Sequence, residues 1–148
     1  MTLRQITVLL AALFLASCGK DMKPPKPKEP LPPGVKETYS GLRHKLLRAG
    51  NGGPTPNSLC TVKVHYEGKT ADGGVFDSSY QREKPAEFPL EAVIEGWTEG
   101  LQLMTRGEKR RFWVPSRLAY GDDPGLGKPG GDLVFDIELI DFHQGGER

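Results

Sequence analysis

The 148-residue chain is poor in cysteine, histidine, net charge and long apolar runs. Each scarcity excludes something. Cys18 ends an apolar N-terminal run and Cys60 opens a strand pattern, so they do not read as a disulfide pair, and with His44, His65 and His143 they form no zinc-ligand spacing. A formal net charge of +1 gives no global attraction to nucleic acid. A membrane-spanning helix needs about 20 apolar residues, and the one apolar stretch, Ile6 to Ala16, is too short for that. What the chain has in plenty is 19 glycines and 13 prolines. Those favour short strands and turns over long helices.

Two local patterns invite functions that their context rejects. "GLGKPG" at 125–130 formally fits a glycine-rich nucleotide loop. No strand immediately precedes it, and Pro129 blocks the helix it would have to open. "EKRR" at 108–111 is basic, but it alternates as a solvated strand face. Asp122 and Asp123 read as loop residues rather than cation ligands.

The N-terminal region reads as an address and a tether. Arg4, an apolar core of a length suited to secretion, and "LASC" at 15–18 describe a secretory signal. The "LASC" end resembles the bacterial lipobox. That resemblance makes residues 1–17 the signal peptide and Cys18 the lipidated residue. Acyl chains there would hold the chain on a membrane by burying methylenes, about 0.8 kcal/mol each. Gly19, rather than Asp, after the cysteine favours the outer membrane and periplasm. Residues 18–38 follow as a Pro- and Lys-rich linker, with six prolines between 24 and 33. Such a segment cannot build a core, and its seventeen residues 20–36 would extend roughly 50 Å as a spacer at ~3.1 Å each.

From Tyr39 to Gln144 the pattern is that of one globular domain, with 145–148 as a tail. "GLRHKLLRAG" reads as a first strand. In "CTVKVHYEG", Val62, Val64 and Tyr66 alternate with Lys63, His65 and Glu67, the mark of a half-buried strand. "KRRFWVP" points Phe112 and Val114 inward and Trp113 outward. "LVFDIELIDF" points Leu133, Phe135, Ile137 and Leu139 inward. "VIEGWTEGLQLM" is the one helical candidate, with Val93, Ile94, Trp97, Leu101 and Met104 as its apolar stripe. The expected fold is α+β: about five antiparallel strands in a twisted sheet, with the one short helix laid across a face of it. Trp97 then lies between helix and sheet.

"VHYEGKTADGGVFDSSYQREKP", "FPLEAVIEGWTEGLQLMTRGEKRRFWVPSRLAYG" and "LVFDIELIDF" resemble, in order, the FKBP-type peptidyl-prolyl isomerases, over about residues 40–143. The leader resembles that of bacterial lipoprotein members. The resemblance implies an α+β fold, a five- to six-stranded antiparallel sheet wrapped around one short helix, with an apolar pocket for a prolyl group between them. Tyr66, Phe76, Phe88 and Phe135 would wall it, and Trp97 would be its floor. Val93 and Ile94 would stand at the rim, with the Ile94 N–H as a donor. Asp77 supplies a polar group and Tyr120 a hydroxyl anchor. It implies no cofactor and no metal. The partners implied are proline-containing polypeptides, and the chain reads as a monomer that does not bind nucleic acid. Two departures stand out. Ala86 replaces an aromatic that many members carry, and Gly127 takes the place of an apolar rim residue, so macrolide inhibitors are expected to bind weakly. An alternative to the enzyme is a module that grips proline segments or unfolded chains with little turnover.

Overall fold

The alternation of "CTVKVHY" builds the strand on which the domain is centred. A computed structural model of the chain describes residues 29–145. The expected signal peptide, Cys18, most of the expected linker and residues 146–148 lie outside the described residues. The strands are β1 (Val35–Glu37), β2 (Arg43–Arg48), β3 (Cys60–Thr70), β4 (Val75–Ser78), β5 (Ala86–Pro89), β6 (Lys109–Val114) and β7 (Leu133–Gln144). One α-helix, α1 (Glu95–Leu101), lies between β5 and β6. The sheet order is β1-β2-β6-β7-β3-β4, every pair antiparallel. Along one edge β3 pairs continuously with β7, from Cys60↔Gln144 to Thr70↔Leu133. Its other edge is shared: the first half pairs with β5, and the second with β4. A central strand can serve three partners in this way because β4 and β5 are only four residues each.

Period-2 burial follows the sequence. Val62, Val64, Tyr66, Phe112, Val114, Leu133, Phe135, Ile137 and Leu139 are all buried, and they form one core with Trp97 and Leu101. Between Lys63↔Asp141 and Val64↔Leu139 the register shifts by one residue. The extra residue on β7 resets the alternation, so Phe142 rather than Asp141 faces Val62.

Gly96 and Gly100 explain why a tryptophan sits beside a poor helix former. They fall four apart, on one face of α1. A Cβ on Gly96 would lie 2.5 Å from Val114 Cγ1, and one on Gly100 would lie 2.6 Å from Phe112 Cε1. Only a helix bare at both positions can lie this close to β6. The close approach brings the neighbouring Trp97 down onto the sheet.

Several expectations need correction. The sheet begins earlier than residue 39: Val35–Glu37 pairs with Arg43–Lys45, and the compact unit starts at Leu31. A three-residue strand in a Pro- and Lys-rich setting shows no alternation to read. The helix is seven residues rather than the twelve of the apolar stripe. Val93 and Ile94 are extended, at φ −109° and −58°, and Met104 enters the core from the turn after Leu101. The apolar spacing is real, but three kinds of backbone share it. The sheet has seven strands, not five or six.

Candidate functional site

Trp97 projects from α1 into the gap between helix and sheet and is 5% exposed. Three rings stand nearly perpendicular to its indole. Tyr66 of β3 has its centroid 5.1 Å away at 82°, Phe135 of β7 5.4 Å at 85°, and Phe88 of β5 5.5 Å at 87°. Phe76 of β4 meets Phe135 edge-on at 5.6 Å. Edge-to-face pairing of this kind contributes about 0.5–1.5 kcal/mol per pair beyond burial. The result is a flat floor with upright walls. Gly68 on β3 makes room for it, because a Cβ there would lie 2.7 Å from Phe76 and 2.8 Å from Phe135. Among the described residues the indole N–H has no acceptor, as its surroundings are chiefly rings.

The cavity over this floor is about 230 Å³. All nine residues expected at the site line it: Tyr66, Phe76, Asp77, Phe88, Val93, Ile94, Trp97, Tyr120 and Phe135. Ala92 and Lys128 complete the lining. A larger hollow of about 610 Å³ lies on the outer side of the sheet, among Trp113, Val134, Arg43 and Pro32. Its Arg43 is paired with Glu37 at 2.9 Å, and Asp132 accepts from the Ser116 N–H. Aromatic side chains and free donors converge on the smaller cavity, not on this one.

Two of those donors are a backbone amide and a hydroxyl. The Ile94 N–H, just ahead of α1, donates to no described residue. The Tyr120 hydroxyl likewise bonds to none, and burial together with the nearby Asp77 charge raises its pKa, keeping it a donor. Asp77, by contrast, is fully engaged. Its Oδ2 accepts from the Tyr66 hydroxyl at 2.5 Å and its Oδ1 from Arg82 Nη1 at 2.5 Å. Arg82 Nη2 also donates to the Tyr66 oxygen at 2.9 Å. Burial opposes ionisation of Asp77, but the bonds from Tyr66 and Arg82 and the guanidinium charge outweigh it. Its pKa is held below the ordinary value, so it is a carboxylate at neutral pH. Burial, and the bond donated to Asp77, push the Tyr66 hydroxyl the other way. The site therefore holds no group poised for covalent or acid–base work. It is an aromatic box with an ion pair on one wall.

Comparison with known proteins agrees with this geometry. The profile of the FKBP-type peptidyl-prolyl cis-trans isomerases matches residues 52–140. The chain belongs to that family. A probable FKBP-type peptidyl-prolyl cis-trans isomerase of Haemophilus influenzae is 48% identical over 117 residues, covering 77% of this chain and 48% of that protein. The crystal structure of FkpA from Escherichia coli superposes with a TM-score of 0.72 at 42% identity, covering 76% of this chain and 53% of that one. A peptidyl-prolyl cis-trans isomerase structure from Pseudomonas syringae pv. tomato gives 0.69 at 43%, with 76% and 84% covered. The chain spans about half the length or less of the curated relatives it matches.

Within this FKBP-type frame, the rim differs from expectation. Gly127 does not line the cavity, and a Cβ on it would meet nothing within 4 Å. It also adopts φ +72°, a left-handed conformation that disfavours a β-branched replacement. The residue that reaches the pocket from this loop is its neighbour Lys128, with Nζ 4.7 Å from the Tyr120 ring centroid. Ala86 sits on β5 opposite Val64 and packs against the core without lining the cavity. His65, which alternates with the inward residues of β3, stacks on Tyr80 at 4.7 Å and bonds Ser79. Arg82 was invisible to spacing. It stands in an irregular turn after β4, and only the folded loop brings it onto Asp77.

Proposed function

We propose that this domain catalyses cis–trans isomerisation of X–Pro bonds in polypeptides outside the cytoplasm, without covalent chemistry. The observation that carries the reading is the three rings set edge-on around the Trp97 indole, beside a carboxylate already satisfied by its neighbours. Rotation about an X–Pro bond costs about 18–20 kcal/mol because it breaks amide resonance. Resonance also places charge on the carbonyl oxygen, so the planar amide is more polar than the twisted one. A box without water favours the twisted form. The Ile94 N–H and the Tyr120 hydroxyl can hold the flanking carbonyls while the bond turns. Asp77 acts through Tyr66 and Arg82, fixing a wall in place.

Exchange NMR on short X–Pro peptides tests this directly. Catalysed exchange at substoichiometric protein is the expected result; binding without faster exchange would establish the proline-gripping module instead. Tyr120→Phe removes one hydrogen bond, worth about 0.5–1.5 kcal/mol. It is expected to lower kcat/KM by roughly two- to tenfold. Complete loss in a folded variant would show essential proton transfer and sink the non-covalent mechanism.

We further propose that the chain is a bacterial envelope lipoprotein, acylated on Cys18 and monomeric. The "LASC" end of the apolar leader supports the acylation, and the bacterial relatives support the bacterial source. Cys18→Ser is expected to abolish lipid labelling and processing. Unchanged labelling would remove Cys18 from the reading. Macrolide inhibitors should bind weakly, since the rim loop brings Lys128 rather than an apolar side chain to the cavity.

A further inference from the structure

Resting on the isomerase reading, we infer that Lys128 sets substrate preference, so that the site favours prolyl segments carrying an acidic side chain next to the proline. Among the eleven residues lining the cavity, two carry ionised side chains, Asp77 and Lys128. Asp77 is bonded by both Tyr66 and Arg82. Arg82, in turn, has spent its charge on Asp77. Lys128 makes no ion pair with any described residue, and its ammonium lies over the Tyr120 ring at 4.7 Å. The lining with its neutralising arginine thus presents one uncompensated positive charge, placed beside a hydroxyl suited to anchoring substrate.

The loop holds that charge in place. Gly131 N–H bonds Gly121 O at 3.0 Å, closing the loop at its base, and Lys128 N–H bonds Gly125 O at 3.2 Å. Gly130 lies so close to the Asp122 carbonyl that no side chain fits between them. None of the loop's own acids forms an ion pair with Lys128. Asp132 accepts from the Ser116 N–H at 2.9 Å, while Asp122 and Asp123 are exposed and form no ion pair among the described residues. At physiological salt, charges beyond about 8 Å are largely screened. A carboxylate one residue from a bound proline is therefore read chiefly by Lys128.

The test uses the full chain and peptides Ala-Xaa-Pro-Phe and Ala-Ala-Pro-Xaa, with Xaa as Glu, Gln or Lys. Isomerisation is followed by exchange NMR. Exposed ion pairs have modest strength, so in at least one series the Glu peptide should exceed the Gln peptide about two- to fivefold in kcat/KM at low salt. The Lys peptide should fall below both. The ratio should collapse in about 0.5 M NaCl, where screening shortens to a few Å. Lys128→Gln should bring Glu:Gln to one, and Lys128→Glu should invert it. A merely structural lysine would change all three peptides together. A Glu:Gln ratio of one in both series for the wild type, or a preference that survives Lys128→Gln, overturns the inference. If no peptide is turned over, the isomerase reading fails instead. The ratio of the same peptides' affinities, read from Trp97 emission in a Trp113→Phe background, then decides the role of Lys128.

Discussion

Glu108→Ala is expected to cost the domain about 3–5 kcal/mol, the range for stripping one partner from a buried ion pair. Glu108 is 5% exposed, just before β6. Its Oε1 accepts from Arg110 Nε at 2.6 Å, and its Oε2 accepts from the Thr105 N–H at 3.1 Å and approaches the Thr105 hydroxyl at 3.4 Å. Arg110 also faces His44 Nδ1, at 3.0 Å. Alanine would leave a largely buried guanidinium and a backbone donor without their acceptor. Against a typical total of about 5–15 kcal/mol, that is a large fraction. In urea, with a slope of about 1–3 kcal/mol per M, the midpoint should drop by at least about 1 M. A drop below a few tenths molar would show that water reaches the pair.

The same cluster sets an acid limit. Burial, and then the charges of Arg110 and Lys36, lower the His44 pKa below 6.5, with Glu108 and Glu99 opposing them. The folded state therefore keeps His44 neutral and the unfolded chain protonates it first. Its contribution is intact above about pH 6.5 and is lost as pH falls from there through the depressed folded value. Removing Glu108 takes away one opposing charge, so the acid loss should steepen in the Glu108→Ala protein. His44→Phe should flatten it.

Trp97→Ala should harm both stability and turnover. Truncating a buried tryptophan costs about 3–5 kcal/mol in lost burial and cavity. Here it also removes the ring that Tyr66, Phe88 and Phe135 all stand against. If the transition state loses no more than about 1.4 kcal/mol of support, kcat/KM still falls about tenfold. Trp97→Phe retains a ring and should lie between wild type and alanine in both measurements. A Trp97→Ala protein that stays folded and turns over X–Pro peptides normally would remove the indole from the floor of the reaction.

The helix shows how an apolar pattern can be right about burial and wrong about backbone. Leu101 and Met104 are both fully buried, as their spacing with Trp97 implies. Met104 nonetheless belongs to a turn, with its N–H bonded to Leu101 O. Gly127 and Lys128 show the complementary case. The rim loop is placed correctly, but a one-residue difference in which side chain turns inward changes an absent apolar contact into a present charge. Loops have no period, so nothing in the order of residues 122–131 reveals which of them faces the pocket.

What the amino-acid order determined by itself is the inward face of β3, β6 and β7, and with it the core. A strand half in water must alternate, and a one-residue slip would bury Lys63 or Arg111 in place of Val62 or Phe112. It also determined the family, because several motifs recur in one sequence over most of the domain. The tertiary structure alone decided the rest. Pairing of Gly68 with Asp77, across a register shift at Lys69, accompanies the meeting of the Asp77 carboxylate with the Tyr66 hydroxyl. An irregular turn, with Glu83 at φ 52°, follows Arg82, whose guanidinium closes that triangle. Close approach of two glycines to β6 seats the indole among its rings. Each of these depends on contacts between residues distant in sequence or on loops without repeat. Local alternation records which side chains are buried, but not which of them meet.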